Sequence, residues 1–324
     1  MVTATIDGQV QSWMNNYECT PAAGPSATAA STAASTTATA VATTSSAAVQ
    51  LKQNFVVKAS SSASQTSSST SSSSSAVASG SWGQTAYYNA DSQTAHGLVF
   101  LNHMGGTAGS GTWSSAFGNS LSYASSDGCS GAASPQVLAS TALPSTAEVV
   151  IMSDNECSGD DCGATMPGSV AYHGFGGAQK AFFFEFEMPD EPSQQTGAWT
   201  GNMPAIWALN AQIPRTLQYG NPTCSCWATG CGELDIFEVL APGDSRAKST
   251  LHGNAPCSGG NSDYFARPTN GTITVGVLMQ DNNIHIKVNP SYNWESSLAA
   301  SDINDLCNSM MTQENGISLF ALAA

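Results

Sequence analysis

From residue 80 onward, apolar residues recur at every second position, and that period constrains the fold more than any other feature of the chain. In AFFFEFE, Phe182, Phe184 and Phe186 alternate with Glu185 and Glu187; in NIHIKV, Ile284, Ile286 and Val288 alternate with His285 and Lys287. Successive side chains of a strand point to opposite faces, so a period of two marks half-buried strands. Further strand-forming runs are GLVFLN, SLSYAS, AEVVIMS, VAYHGF, PAIWALN, AKSTLHG, TITVGVLM and ISLFAL, separated by Gly, Pro, Asn and Ser clusters. The Asp281-Asn282 pair between two runs signals a hairpin. One helix is expected, within ESSLAASDINDLCNSMM. Many short strands with so little helix predict an all-β domain over residues 80–324, a jelly-roll β-sandwich of two antiparallel sheets.

Ahead of that domain the composition changes abruptly. Residues 1–18 form a short segment with strand-like residues, Trp13 and Tyr17, and residues 19–79 are dominated by Ala, Ser and Thr. A run such as SSSASQTSSSTSSSSS has no apolar surface with which to offset the entropy of ordering, so a disordered stalk is expected there. In a secreted protein its hydroxyls suit O-glycosylation; a plain flexible linker is the alternative.

Charge narrows the function. Eight basic residues against 23 acidic ones give a net charge of −15, a balance that phosphate backbones and anionic lipids repel. Nucleic acid and membrane surfaces are therefore not expected as partners, whereas a neutral polymer is admissible. Nine cysteines and the Asn270-Gly271-Thr272 sequon suit an oxidising, extracellular compartment. The start, VTATIDGQVQ, lacks the basic and apolar regions of a secretion signal, so a signal already removed is the expectation.

The stretch GCGELDIFEVL is the exception in a chain that avoids charge, placing Glu233, Asp235 and Glu238 among apolar strand formers. In a regular strand Glu233 and Asp235 share a face and Glu238 points away. One β-bulge between Asp235 and Glu238 returns Glu238 to its partners and lets Leu234, Ile236 and Phe237 pack beneath. Four strand rises separate the Cα atoms by ~13 Å, and two Glu side chains leaning together leave carboxyls ~5 to 6 Å apart. That gap matches the ~5 to 5.5 Å of retaining glycosidases and is shorter than the inverting range. Crowded carboxylates cannot all ionise cheaply, so one keeps a proton and can act as an acid. The expected roles are Glu233 as nucleophile, Glu238 as acid and then base, and Asp235 as the hydrogen-bonding neighbour that tunes them. A solvated acidic face or a calcium site is the competing reading of an isolated E-x-D-x-x-E.

ELDIFE, preceded by Gly232 and following MPAIWALN, resembles the active-site strand of the laminarinase and lichenase group, glycoside hydrolase family sixteen. More closely, GGAQKAFFFEFEMP, NMPAIWALNAQIPRTLQYG, CSCWATGCGELDIFEVL and STLHGN resemble the fungal Tos-type cell-wall glycosyl hydrolases, over residues 80–324. TATIDGQVQSW and the Ser/Thr-rich stalk are similar to that family as well. The resemblance implies a jelly-roll sandwich, a cell-wall or extracellular location, and action on β-1,3-glucan.

Sugar sites combine flat apolar faces with polar groups for the hydroxyls. Trp207, in the strand before the carboxylates, and Trp227, in the Cys-rich loop between, are the candidates, with core packing an equal rival for Trp207. His252 in STLHGN is placed to reach the cleft from the next strand; Tyr264, Phe265 and Trp294 are weaker candidates. Cys224, Cys226 and Cys231 with His252 invite a zinc reading, but they lack paired C-x-x-C knuckles, so disulfides are expected instead. Cys157 and Cys162 can close a small loop beside Asp154, Asp160 and Asp161, a cluster whose spacing does not match a calcium-binding EF-hand. Cys19 is the expected unpaired cysteine. The expectation is a monomer with no metal or cofactor that binds β-glucan as a retaining endo-β-1,3-glucanase; a glucan transglycosylase or a non-catalytic wall-glucan-binding protein is the alternative.

Overall fold

Asp281 and Asn282 take positive φ values of 51° and 60° and join Ile273–Gln280 to Asn283–Val288 with Gln280 opposite Asn283. This is the left-handed two-residue turn whose twist matches paired strands, and Asp and Asn tolerate it better than branched residues. The computed structural model describes the backbone of Val2–Ile6, Gln9–Trp13 and Asn54–Ser60. From residue 81 on it describes all but 115–117, 146, 160, 163–164, 166, 192–200, 210–231, 253–256, 262–263, 289–294, 304–316 and 323–324.

All pairings among the described strands are antiparallel. The largest sheet has nine strands, in the order Cys257–Asn261, Ile317–Leu322, Asn283–Val288, Ile273–Gln280, Lys180–Phe186, Asn54–Ser60, Ser81–Asn89, Ser297–Ala299, with Thr94–His96 pairing Ser81–Asn89. A four-stranded sheet runs Ala205–Leu209, Glu233–Glu238, Arg246–His252, Tyr264–Ala266. A second four-stranded sheet runs Gly131–Ala132, Ser122–Ala124, Leu98–Asn102, Val150–Ser153. Two hairpins, Val2–Ile6 with Gln9–Trp13 and Trp113–Ser114 with Gly118–Asn119, complete the described strands.

One hydrophobic core makes these sheets two layers. Tyr88, Phe184, Phe186 and Ile286 of the nine-stranded sheet share it with Leu234, Phe237 and Phe265 of the first small sheet and Phe100 of the second. The rings of Phe186 and Phe237 meet edge-on at 5.3 Å, and those of Tyr88 and Phe100 at 4.8 Å. The fold is thus the expected all-β sandwich, with one layer split into two sheets. Burying each such ring contributes about 1.5–3 kcal/mol, so this core is what holds the carboxylate strand in place.

Four expectations are corrected. The alternation in AFFFEFE is not between core and solvent alone: Phe183 is fully buried with Trp82, Leu278, Leu298 and Ile303 on the outer face of the large sheet. VAYHGF contributes an isolated bridge, Tyr172 to Glu156, rather than a strand. In the expected helix, Ser297–Ala299 adds an edge strand beside Ser81–Asn89, and the described helix is one turn at 300–303. Asn54–Ser60 lies in the region assigned to the stalk, yet it pairs with Lys180–Phe186 on one side and Ser81–Asn89 on the other. Its NFVVKAS sequence supplies the β-branched and aromatic residues a strand needs, and the two neighbouring strands would otherwise leave backbone groups facing each other without a ladder. The remainder of 19–79, with Cys19, lies outside the described residues.

Candidate active site

Glu233–Glu238 is the second strand of its sheet, and its pairing departs from a regular ladder at one place. On the Arg246–His252 side, Glu233, Asp235 and Glu238 sit opposite His252, Thr250 and Lys248, with the irregularity between Asp235 and Glu238. On the Ala205–Leu209 side the same three residues face Leu209, Trp207 and Ala205. The partners are two residues apart on both flanking strands, so the three carboxylates share one face despite their uneven spacing. The bulge expected from the sequence is present. Leu234, Ile236 and Phe237 pack into the core beneath it, with Phe237 also stacked on Phe265 at 5.3 Å.

The bulge is held from the next strand. Ser249, fully buried, donates its hydroxyl to the Ile236 carbonyl at 2.7 Å, satisfying an acceptor at the point where the ladder is interrupted. At the strand's start, Gly232 has a φ of 90° and lies so close to His252 that a Cβ there would sit 2.9 Å from the His252 carbonyl oxygen. A side chain at that position would meet both penalties.

Glu233 and Asp235 are buried and Glu238 is half-buried. Burial, followed by the charge of Asp235, raises the Glu238 carboxyl from the ordinary 4.5 to about 7; Glu233 and a hydrogen bond with Asp235 add to the rise, while His252 opposes it. His252 Nε2 lies 2.8 Å from Asp235 Oδ2. Burial works against charge on this imidazole, but the Asp235 hydrogen bond and the charges of Asp235, Glu233 and Glu238 together hold its pKa above the ordinary value. Glu238 therefore keeps its proton to near neutrality. Donor atoms of Glu233, Asp235 and His252 lie within 4.8 Å of one another, a spacing a metal could use. In that group His252 contacts Asp235 through Nε2, at 2.8 Å.

The other candidates separate cleanly. Trp207 pairs with Asp235 and so lies on the carboxylate face, while its neighbours Ile206 and Ala208 pack against the core. Tyr264 lies opposite Lys248 and shares that face. Phe265 is a core residue and not a site residue. Trp227, Trp294, Cys224, Cys226 and Cys231 lie outside the described residues. Thr250 and Lys248 were missed by sequence reasoning; counting back by twos from His252 through RAKSTLH would have found them.

Away from the site, Cys157 and Cys162 form the expected disulfide, and the neighbouring Asp161 pairs with His173 at 3.3 Å. Cys129 is exposed and has no disulfide partner among the described residues. No helix among the described residues is long and apolar enough to cross a membrane.

Comparison with known proteins places the chain. The family model described as cell wall protein YJL171C/Tos1, C-terminal, matches residues 80–306. A probable circularly permuted 1,3-beta-glucanase of Schizosaccharomyces pombe is 49% identical over 233 residues, covering 69% of this chain and 45% of the relative. The Saccharomyces cerevisiae protein named probable circularly permuted 1,3-beta-glucanase TOS1 is 51% identical over 212 residues, covering 64% and 45%. A probable circularly permuted 1,3-beta-glucanase of Arthroderma benhamiae is 36% identical over 341 residues, covering 100% of this chain and 70% of its own. The chain thus spans a little under half the length of the two yeast relatives. Among solved structures, the catalytic domain of an endo-1,3-beta-glucanase (laminarinase) from Thermotoga petrophila shows 17% identity and a TM-score of 0.20 over 44% of this chain and 55% of its own. With the family model spanning most of the sandwich and more than a third of residues identical across the full chain in one relative, this chain belongs to the YJL171C/Tos1 family of cell wall proteins.

Proposed function

We propose that the chain is a secreted or cell-wall glycoside hydrolase that cleaves β-1,3-glucan by retaining double displacement, acting as a monomer without a cofactor. The observation that carries this reading is the bulge, which gathers Glu233, Asp235 and Glu238 on one face and leaves one of them protonated near neutral pH. The names of the fungal relatives support the glucan substrate.

In the first step Glu238 gives its proton to the glycosidic oxygen as the bond to the anomeric carbon breaks, and Glu233 forms the glycosyl ester from the opposite side. Glu238, now a carboxylate, takes a proton from water as water displaces Glu233, which restores both groups. Asp235 spans the pair, bonded to Glu238 on one side and to His252 on the other, so it adjusts proton affinity without reacting. Trp207 is suited to lie under a sugar ring near Asp235, and Trp227 and His252 are the further substrate-binding residues of this reading.

Incubation with laminarin, lichenan, chitin and xylan, with mass analysis of the products, tests the proposal. Shorter oligosaccharides with new reducing ends from laminarin, and none from chitin or xylan, are expected. Redistribution of chain lengths without new reducing ends would make the protein a transglycosylase. Binding of laminarin with no product of either kind would leave a wall-glucan-binding protein.

A further inference from the structure

Glu238, Lys248 and Tyr264 are consecutive cross-strand partners on the site face: Glu238 is opposite Lys248, and Lys248 is opposite Tyr264. A lysine facing a glutamate across an antiparallel pair has Cβ atoms roughly 4.5–5.5 Å apart, close enough for the two charges to pair favourably. Here the Lys248 ammonium instead lies over the Tyr264 ring, 4.5 Å from its centroid, and no ion pair with Glu238 forms among the described residues. The Arg246 guanidinium occupies the same ring at 4.6 Å while bridging to Asp244. Two of the eight basic residues of this acidic chain are thus gathered on one aromatic ring beside the carboxylates.

We propose that Tyr264 is a positioning residue of the site, holding the Lys248 ammonium on its ring and so keeping that cation from pairing with Glu238. The inference rests on the reading of Glu238 as the acid. A general acid must still carry its proton at the working pH, and an ammonium brought within ~4–6 Å of a carboxyl lowers its pKa by about 1–3 units. The described charged groups facing Glu238 are Asp235 and Glu233 from its own strand, and His252 and Lys248 from the strand beside it; Arg246 lies further along that strand. Ala205 and Trp207 on the other flanking strand bring no charge. Of these, Lys248 is the cation directly opposite. The Tyr264 phenol itself is the remaining ionisable group of the cluster. Cation–π attraction to its ring is what competes for the ammonium.

The test is the pH profile of kcat/KM on laminarin for the full chain, measured for the wild type, Tyr264→Phe, Tyr264→Leu and the double variant Tyr264→Leu/Lys248→Met. An acid is lost as pH rises through its pKa, so releasing Lys248 should move the basic limb downwards. In Tyr264→Leu the midpoint should fall by about one pH unit or more. Tyr264→Phe, which keeps the ring, should hold the wild-type limb, and the double variant should return to it. Because Tyr264→Leu and the double variant lack the same ring, a folding defect would appear in each and could not produce that recovery. A Tyr264→Leu variant with uniformly lower activity and an unmoved limb would overturn the proposal in favour of a sugar platform. Persistence of the shift in the double variant would overturn it too. Carbon-13 titration of the Glu238 carboxyl in the same proteins reads the shift without catalysis. A moved titration with an unmoved basic limb would refute Glu238 as the acid while leaving the role of Tyr264 intact.

Discussion

His252 Nε2 and Asp235 Oδ2 lie 2.8 Å apart, and this bond ties the strand that follows the carboxylates to the residue whose charge raises the Glu238 carboxyl. Asp235 raises proton affinity on both sides, in Glu238 and in His252. Asp235→Asn should therefore shift the basic limb of the pH–activity profile down by roughly one unit and lower kcat by about tenfold to a hundredfold, less than loss of either glutamate. A pH–rate profile of the variant checks both, and a limb that moves upwards would contradict that role of Asp235.

Glu238 makes stability depend on pH. Its folded pKa, about 7, is above the ordinary 4.5, so the folded chain binds the proton more tightly than the unfolded chain between those values. Stability then falls as pH rises through that window and is lowest above about pH 7, by a few kcal/mol at ~1.4 kcal/mol per unit. Glu238→Gln should leave stability unchanged at pH 4 and raise it by about 2–3 kcal/mol at pH 8. Urea unfolding at the two pH values measures the difference.

Ser249→Ala should remove the bond that fixes the Ile236 carbonyl at the bulge. The expected cost is about 1–2 kcal/mol of stability, with a fall in kcat larger than any change in KM, because Glu238 loses its position rather than the substrate its binding surface. Denaturant unfolding together with steady-state kinetics on laminarin separates the two effects.

The strand Asn54–Ser60 predicts where the chain can be shortened. A chain starting at residue 54 should retain cooperative unfolding, whereas one starting at residue 80 should lose it or melt at much lower temperature, because Lys180–Phe186 and Ser81–Asn89 would face each other across a missing ladder. Calorimetry of the two truncated proteins decides. Equal melting temperatures would return the boundary to residue 80.

What the sequence shows and hides follows from local and non-local structure. The bulge was legible because the spacing of Glu233, Asp235 and Glu238 cannot place three carboxylates on one face of a regular strand. The Asp281-Asn282 turn was legible because it is set by two residues. The face of Trp207 was not, since only the register with Asp235 separates core from cleft. Nor was the placement of Lys248 between Glu238 and Tyr264, which needs three strands in register. Asn54–Ser60 was hidden because its apolar residues are few and are surrounded by Ser, Thr and Ala, while its partners begin more than twenty residues away in sequence.

The assignment of Glu233 as nucleophile and Glu238 as acid/base is tested most directly by the anomer formed in azide rescue of the two alanine variants. With Glu238→Ala and an activated β-glucoside whose leaving group needs no protonation, the glycosyl-enzyme still forms, and azide should resolve it into a β-glycosyl azide. With Glu233→Ala, azide entering the vacated side should give the α-glycosyl azide. The same anomer from both variants would contradict the assignment, and wild-type activity in either would remove this strand from the chemistry.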